Sequence, residues 1–160
     1  MPTVAVWEPA PLLTPILART LPPALARLIP PDRPADLLVV FPENSVRSPL
    51  SCRTLLMPGG AGYEALSVPQ AVSYGPSPRA TLTFSRLGPG GLLLSLQREV
   101  TTLAGKRLER QEFPVPDMGG VSLTLAWAGA LLLAGVGPEE LAGFRKDRDD
   151  ETEAEYVENK

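Results

Sequence analysis

The chain has no histidine and a single cysteine, Cys52. Without histidine it lacks the side chain that most often acts as a general base near neutral pH and most often ligates transition metals. One thiol forms no intrachain disulfide and builds no thiolate metal cage. The glycine motifs of the nucleotide folds, GxxxxGK[ST] and GxGxxG, are absent, as is the GxSxG of the serine hydrolases. Concentrated positive charge is missing too. Residues 1–144 hold 11 Lys/Arg and 11 Asp/Glu, and the acidic excess lies in residues 145–160, with 4 and 7. A neutral body has little to offer a phosphate backbone, whose neutralisation supplies most nucleic-acid affinity, so nucleic acid is not an expected partner. The N-terminus, MPTVAVWEPAP, carries neither the basic nor the apolar region of a signal peptide, and a cytoplasmic location is the expectation.

What is present is proline, arginine and small apolar residues. Nineteen prolines, 15 of them before residue 79, stand beside 12 Arg and 3 Lys, a balance that fits a GC-rich bacterial genome. Dense proline removes backbone donors and shortens the elements of the first half. Thr3 to Trp7 reads as a first strand, stopped by Glu8-Pro9. Leu12, Leu13, Ile16, Leu17, Leu21, Leu25 and Leu28 recur at helical spacing, and Pro22-Pro23 divides them into two short helices, about 11–21 and 23–29. The run DLLVVF, 36–41, has the continuous apolar character of a parallel strand covered on both faces. Thr54 to Met57 and Gln70 to Tyr74 read as further strands. From Ala80 the period becomes two: Ala80, Leu82 and Phe84 alternate with Thr81, Thr83 and Ser85, then Leu92, Leu94 and Leu96 alternate with Leu93, Ser95 and Gln97. A turn near Ala104-Gly105-Lys106 leads to a third strand, Leu108 to Val115, completing an antiparallel meander over about 80–115 with one polar face.

Residues 118–138, MGGVSLTLAWAGALLLAGVGP, form the most apolar run and carry no charge. A spanning helix needs ~20 residues dominated by large apolar side chains. Here glycine, alanine, serine and threonine dilute a short apolar centre, which predicts a buried helix over about 119–135 packed on a sheet. A membrane is therefore not an expected partner. PEELAGF follows as a short helix, and 145–160 reads as a solvated acidic tail, leaving one domain over 1–144.

The candidate binding residues lie at turns. Gly59, Gly60 and Gly62 of PGGAG follow a strand, where backbone N–H groups can meet a phosphate. Arg79 lies at the next proposed turn, and Arg47, Arg53 and Arg79 are candidates for an anion because of the guanidinium fork. Trp7, Tyr63, Tyr74 and Trp127 are candidates for a pocket or interface, with core packing as the competing role. Glu43, Glu64, Glu99, Lys106 and Glu112 are the available acids and bases, with Cys52 and Ser73 as nucleophiles. Arg53 beside Cys52 is a potential depressor of the thiol pKa. None forms a recognisable catalytic arrangement. The expectation is a non-catalytic binding or interaction protein without metal or cofactor. Its partner would be a protein, a second copy of the chain or a small anionic ligand. The alternative is a small enzyme or binding protein for a phosphorylated or nucleotide-sugar metabolite.

The stretch QAVSYGPSPRATLTFS, 70–85, resembles the part of the Mur ligase central, ATP-binding domain where a strand ends in glycine after an aromatic residue. AWAGALLLAGVGPEELAGF is similar to the helix, glycine, proline and acidic pair that follow the small meander of those ligases. The likeness covers roughly residues 36–144, the C-terminal half of that domain. It implies an α/β fold: a small two- or three-layer Rossmann-like sheet with an antiparallel meander at one edge. It does not imply ATP hydrolysis, because the GKT motif, the metal-binding glutamate and histidine and the amino-acid-substrate domain have no counterparts here. No catalytic residue carries over.

Because residues 145–160 have almost nothing to bury, their deletion is expected to leave the melting temperature within about 2 °C of the full chain. Differential scanning calorimetry of the truncated and full chains measures this.

Overall fold

A computed structural model describes residues 1–42, 51–60, 68–88 and 91–144. In chain order the elements are β1 (Thr3–Trp7), α1 (Leu13–Thr20), β2 (Arg27–Leu28), β3 (Ala35–Val40), β4 (Cys52–Pro58), β5 (Gln70–Tyr74), β6 (Leu82–Gly88), β7 (Gly91–Leu96), β8 (Val100–Thr101), β9 (Arg107–Leu108), β10 (Gln111–Pro116) and α2 (Val121–Ala134). A further helix, α3, covers residues 138–144. Eight strands form one sheet in the order β10-β7-β6-β5-β4-β3-β1-β2. The block from β2 to β6 is parallel, and β7 and β10 extend it antiparallel. The chain is thus mixed α/β with a mostly parallel sheet.

The connection between β5 and β6 sets the geometry. Parallel neighbours ordinarily need a crossover of a dozen or more residues, and residues 75–81 supply fewer. β6 therefore starts where β5 stops, and the two meet at one register pair, Tyr74 with Leu82. The lower part of β5 is left without a strand on its β6 side. Segment 97–103 reaches back to it: the Gln70 side chain donates to the Thr101 carbonyl at 2.9 Å and accepts from the Thr101 N–H at 2.9 Å. A side-chain amide there reproduces a ladder pair. The same excursion carries the β8–β9 pair and is tied to α2 by the Leu103 N–H on the Leu133 carbonyl, 2.8 Å.

α2 packs the larger core. It is apolar all round, buried from Thr124 to Ala134, and touches β3, β4, β5, β6 and β10 as well as α1. One helix thus holds the parallel and antiparallel blocks together. Its closest approach is at Gly129, where a Cβ would stand 2.8 Å from Leu82 Cδ1 and 3.0 Å from Leu56 Cδ2. Gly135, at φ +115°, closes the helix, its N–H and that of Val136 reaching the last carbonyls. Trp127 is fully buried; its Nε1 donates to Thr20 Oγ1 at 3.0 Å, and Thr20 donates to the Ile16 carbonyl at 2.7 Å. On the opposite sheet face Leu38, Val40, Leu55 and Met57 are also buried, so the central parallel strands are covered on both sides. Among the described residues no helix is long and apolar enough to cross a membrane.

Two expectations from the sequence need correction. The second helix, 23–29, is not formed: residues 22–26 make a single turn and Arg27–Leu28 become β2, with Arg27 N–H on the Pro2 carbonyl and Ile29 N–H on the Val4 carbonyl. Between two proline pairs the stretch is too short to repay helix nucleation, and the open edge of β1 takes it. The third meander strand starts at Gln111, not Leu108, because Arg107 and Leu108 pair with Val100 and Thr101. The remaining strands and the apolar helix fall where the hydrophobic periods place them. Within β10, Pro114 and Pro116 have no N–H, yet pairing with β7 runs without a break from Gln111 to Pro116. They therefore occupy positions whose donors would face away from β7, and the free edge lacks those donors.

Replacing Gly129 by valine is expected to destabilise the protein by about 2 kcal/mol or more. The branched side chain overpacks against fully buried Leu56 and Leu82. Urea denaturation of the two proteins measures the difference.

Candidate functional site

In open α/β sheets ligands bind outside the carboxyl ends of the strands, at the point where successive connections diverge. Here β1 leads outward through α1 to β2, and its neighbour β3 leads the other way to β4. The chain beyond β1 begins with Glu8, and the Phe41-Pro42 peptide beyond β3 is cis. Glu8 turns back onto the start of α1. Its carboxylate accepts the N–H groups of Leu12, Leu13 and Thr14, each at 2.8 Å, and the Thr14 hydroxyl at 2.5 Å. These are donors that the first turn of a helix leaves unpaired, and they favour an anion. Burial pushes the Glu8 pKa up, but the Thr14 hydroxyl and the three backbone N–H groups outweigh it and leave the carboxyl below its ordinary value. The position at which nucleotide folds hold a phosphate is filled by the chain's own carboxylate.

In the sequence Glu8 reads only as the end of a strand. The usual signal is a Ser, Thr, Asp or Asn directly at the cap, whereas the cap position here is Leu12, which has no side-chain acceptor. The spacing of Glu8 and Thr14 around a proline-rich turn is the only trace in the sequence.

The two glycine turns do come together. The Gly59 N–H donates to the Tyr74 carbonyl at 2.8 Å, and the Gly75 N–H donates to the Leu82 carbonyl at 3.0 Å. A Cβ on Gly59 would stand 3.9 Å from Ala80 Cβ. Gly60 has φ +78°, a turn conformation that suits glycine. Gly62 lies outside the described residues, as do Arg47, Glu43, Glu64 and Tyr63. Arg79 is exposed on the adjoining 75–81 turn, its N–H on Ser77 Oγ at 3.1 Å. Gly59, Gly60 and Arg79 therefore share the carboxyl edge beside β4 and β5, but the Gly59 and Gly75 donors are already engaged within the chain.

The remaining candidates are dispersed. Tyr74 and Trp127 are core residues, with the Tyr74 hydroxyl donating to the Val40 carbonyl at 2.7 Å, and Trp7 is partly buried on the second sheet face. Ser73 Oγ accepts the Thr81 N–H at 3.0 Å and helps fix the 75–81 turn. Cys52 and Arg53 are successive residues of a strand and point to opposite faces. Arg53 lies 3.6 Å from the Asp36 carboxylate, while burial pushes the Cys52 thiol up. The arginine does not activate it. Glu99 pairs with Arg107 at 3.3 Å, Lys106 lies in the turn between β8 and β9, and Glu112 is on β10. No three of the described His, Cys, Asp or Glu residues form a group able to hold a metal. Cavities elsewhere include an apolar groove of about 360 Å³ between α1 and β2, lined by Leu17, Leu21, Ala26 and Leu28, and a polar one of about 300 Å³ at the amino ends of β4 and β5, lined by Arg53, Thr54, Gln70 and Thr102.

Glu8→Ala is expected to cost about 1 kcal/mol at pH 7, the scale of a lost helix cap. Because the folded-state pKa of Glu8 is lowered, its contribution is present above the unfolded value and disappears as pH falls through the folded one. The difference between wild type and variant in denaturant midpoint should therefore shrink as pH drops from 6 to about 3. Compared with known proteins, the chain matches no family model and no curated protein.

Proposed function

We propose that the chain is a non-catalytic binding or interaction protein, a Rossmann-like half-domain similar to the C-terminal half of the Mur ligase central domain and working without its ATPase residues. The observation that carries this reading is the state of the backbone donors at the carboxyl edge. Glu8 occupies the start of α1, and the Tyr74 and Leu82 carbonyls occupy the N–H groups of Gly59 and Gly75. A phosphate arriving at any of these groups would have to displace an internal carboxylate or break strand-end hydrogen bonds. Support for the resemblance comes from the order of parts: parallel strands, a short turn after Tyr74-Gly75, a meander, an apolar helix closed by glycine, and a short helix. A cytoplasmic bacterial setting accords with the composition.

The second reading, a ligand-binding protein or small enzyme for an anionic metabolite, draws on exposed Arg79 beside the Gly59-Gly60 turn. A thermal-shift series with Mg-ATP, nucleotide sugars and sugar phosphates separates the two. A ligand at a hundredfold excess over its Kd stabilises by about 2.7 kcal/mol, several degrees for a domain of this size. The proposed reading expects no shift with any of these compounds. A shift that disappears in Arg79→Ala or Gly60→Val would replace it with the second.

A further inference from the structure

Three arginines separated in sequence are gathered by the backbone around the 75–81 turn. The Gln97 side-chain amide donates to the carbonyls of Pro78 and Ala80, on either side of Arg79, at 2.6 and 3.1 Å. The next residue, Arg98, places Nη1 3.5 Å from Thr81 Oγ1. Gln111 pairs with Leu96, so Arg110 and Gln97, the residues next to that pair, leave the ladder at the same end. All three arginines are exposed. Arg53 and Arg107 each have a carboxylate partner, whereas Arg79, Arg98 and Arg110 have none among the described residues. The turn that carries Arg79 is held by Ser77, Ser73 and Gln97, so little order has to be imposed on it when it binds.

We infer that Arg79, Arg98 and Arg110 form a docking surface for an acidic segment of a partner protein. This rests on the binding-protein reading above and adds the chemistry of the partner. Guanidinium forks pair with carboxylates through two parallel hydrogen bonds, which gives geometric selectivity as well as charge. Glu99 follows Arg98, and Glu109 and Glu112 flank Arg110 in the chain, so carboxylates bound the cluster, and the whole chain has a net charge of −3. Three cations so bounded suit a short run of carboxylates better than a phosphate backbone, whose binding strengthens with the number of charges neutralised.

The test is fluorescence anisotropy of a labelled Glu/Gly peptide with the full chain, at low salt and at about 0.3 M, where exposed charges are strongly screened. Saturable binding that weakens with salt is expected, with no binding of the Gln/Gly counterpart. The triple variant R79Q/R98Q/R110Q should bind at least about tenfold more weakly, equivalent to ~1.4 kcal/mol. The control R19Q/R33Q/R86Q, with the same change of net charge, should stay within about twofold on the same scale. Circular dichroism checks that the variants are folded; if the triple variant is not, the three single variants are read instead, and each should weaken binding. Absence of binding, equal loss in the control, or tighter binding of a single-stranded oligonucleotide overturns the proposal. Those results leave the binding-protein reading intact, which falls only on a nucleotide or sugar-phosphate shift in the separate thermal series.

Discussion

Too few residues join β5 to β6 for a parallel crossover, and much of the architecture follows from that shortage. β6 cannot lie along β5, so it begins at the level of Tyr74 and carries the antiparallel strands with it. The vacated flank of β5 is then met by the returning chain, where the Gln70 amide pairs with the backbone of Thr101. Two offset blocks need a common support. α2 supplies it by being apolar on every side, a pattern that suits a helix enclosed by protein, and Gly129 lets it sit low enough to touch both.

The same offset shapes the carboxyl edge. With β6 displaced, the 75–81 turn folds over the end of β5 and meets Gly59 on one side and Gln97 on the other. Backbone donors that would greet a phosphate in a nucleotide fold are turned inward to hold these turns, and Glu8 does the same for α1. Among the described residues, the exposed Arg79 side chain lies beside these turns.

Much of this was legible in the sequence wherever burial alone decides the pattern. The run at 36–41, the alternation of Leu92, Leu94 and Leu96 and the uncharged stretch around Trp127 are read correctly because a buried strand, a half-buried strand and an enclosed helix each impose a distinct spacing. Reading fails where a partner distant in sequence decides. Leu25 and Leu28 keep a helical spacing, but the open edge of β1 captures Arg27 and Leu28 as a strand. Leu108 alternates smoothly into β10, yet it pairs with Val100. For the candidate site, the Gly59 and Arg79 turns were visible as turns. Their shared location, and the approach of Arg98 and Arg110, depend on strand register that no local signal carries. The role of Glu8 was hidden because the cap comes from outside the helix.

The proline pair of β10 has a consequence for how this molecule meets others. One border of the sheet is two residues long, and the other has given up donors at Pro114 and Pro116. Neither offers a long template on which another chain can continue the ladder, so recruitment by main-chain zippering is disfavoured, and with it the aggregation to which exposed strands are prone. Contacts made through side chains do not depend on a matching backbone register. Such a surface can be retuned by single substitutions, so the choice of partner can drift while the scaffold beneath stays unchanged.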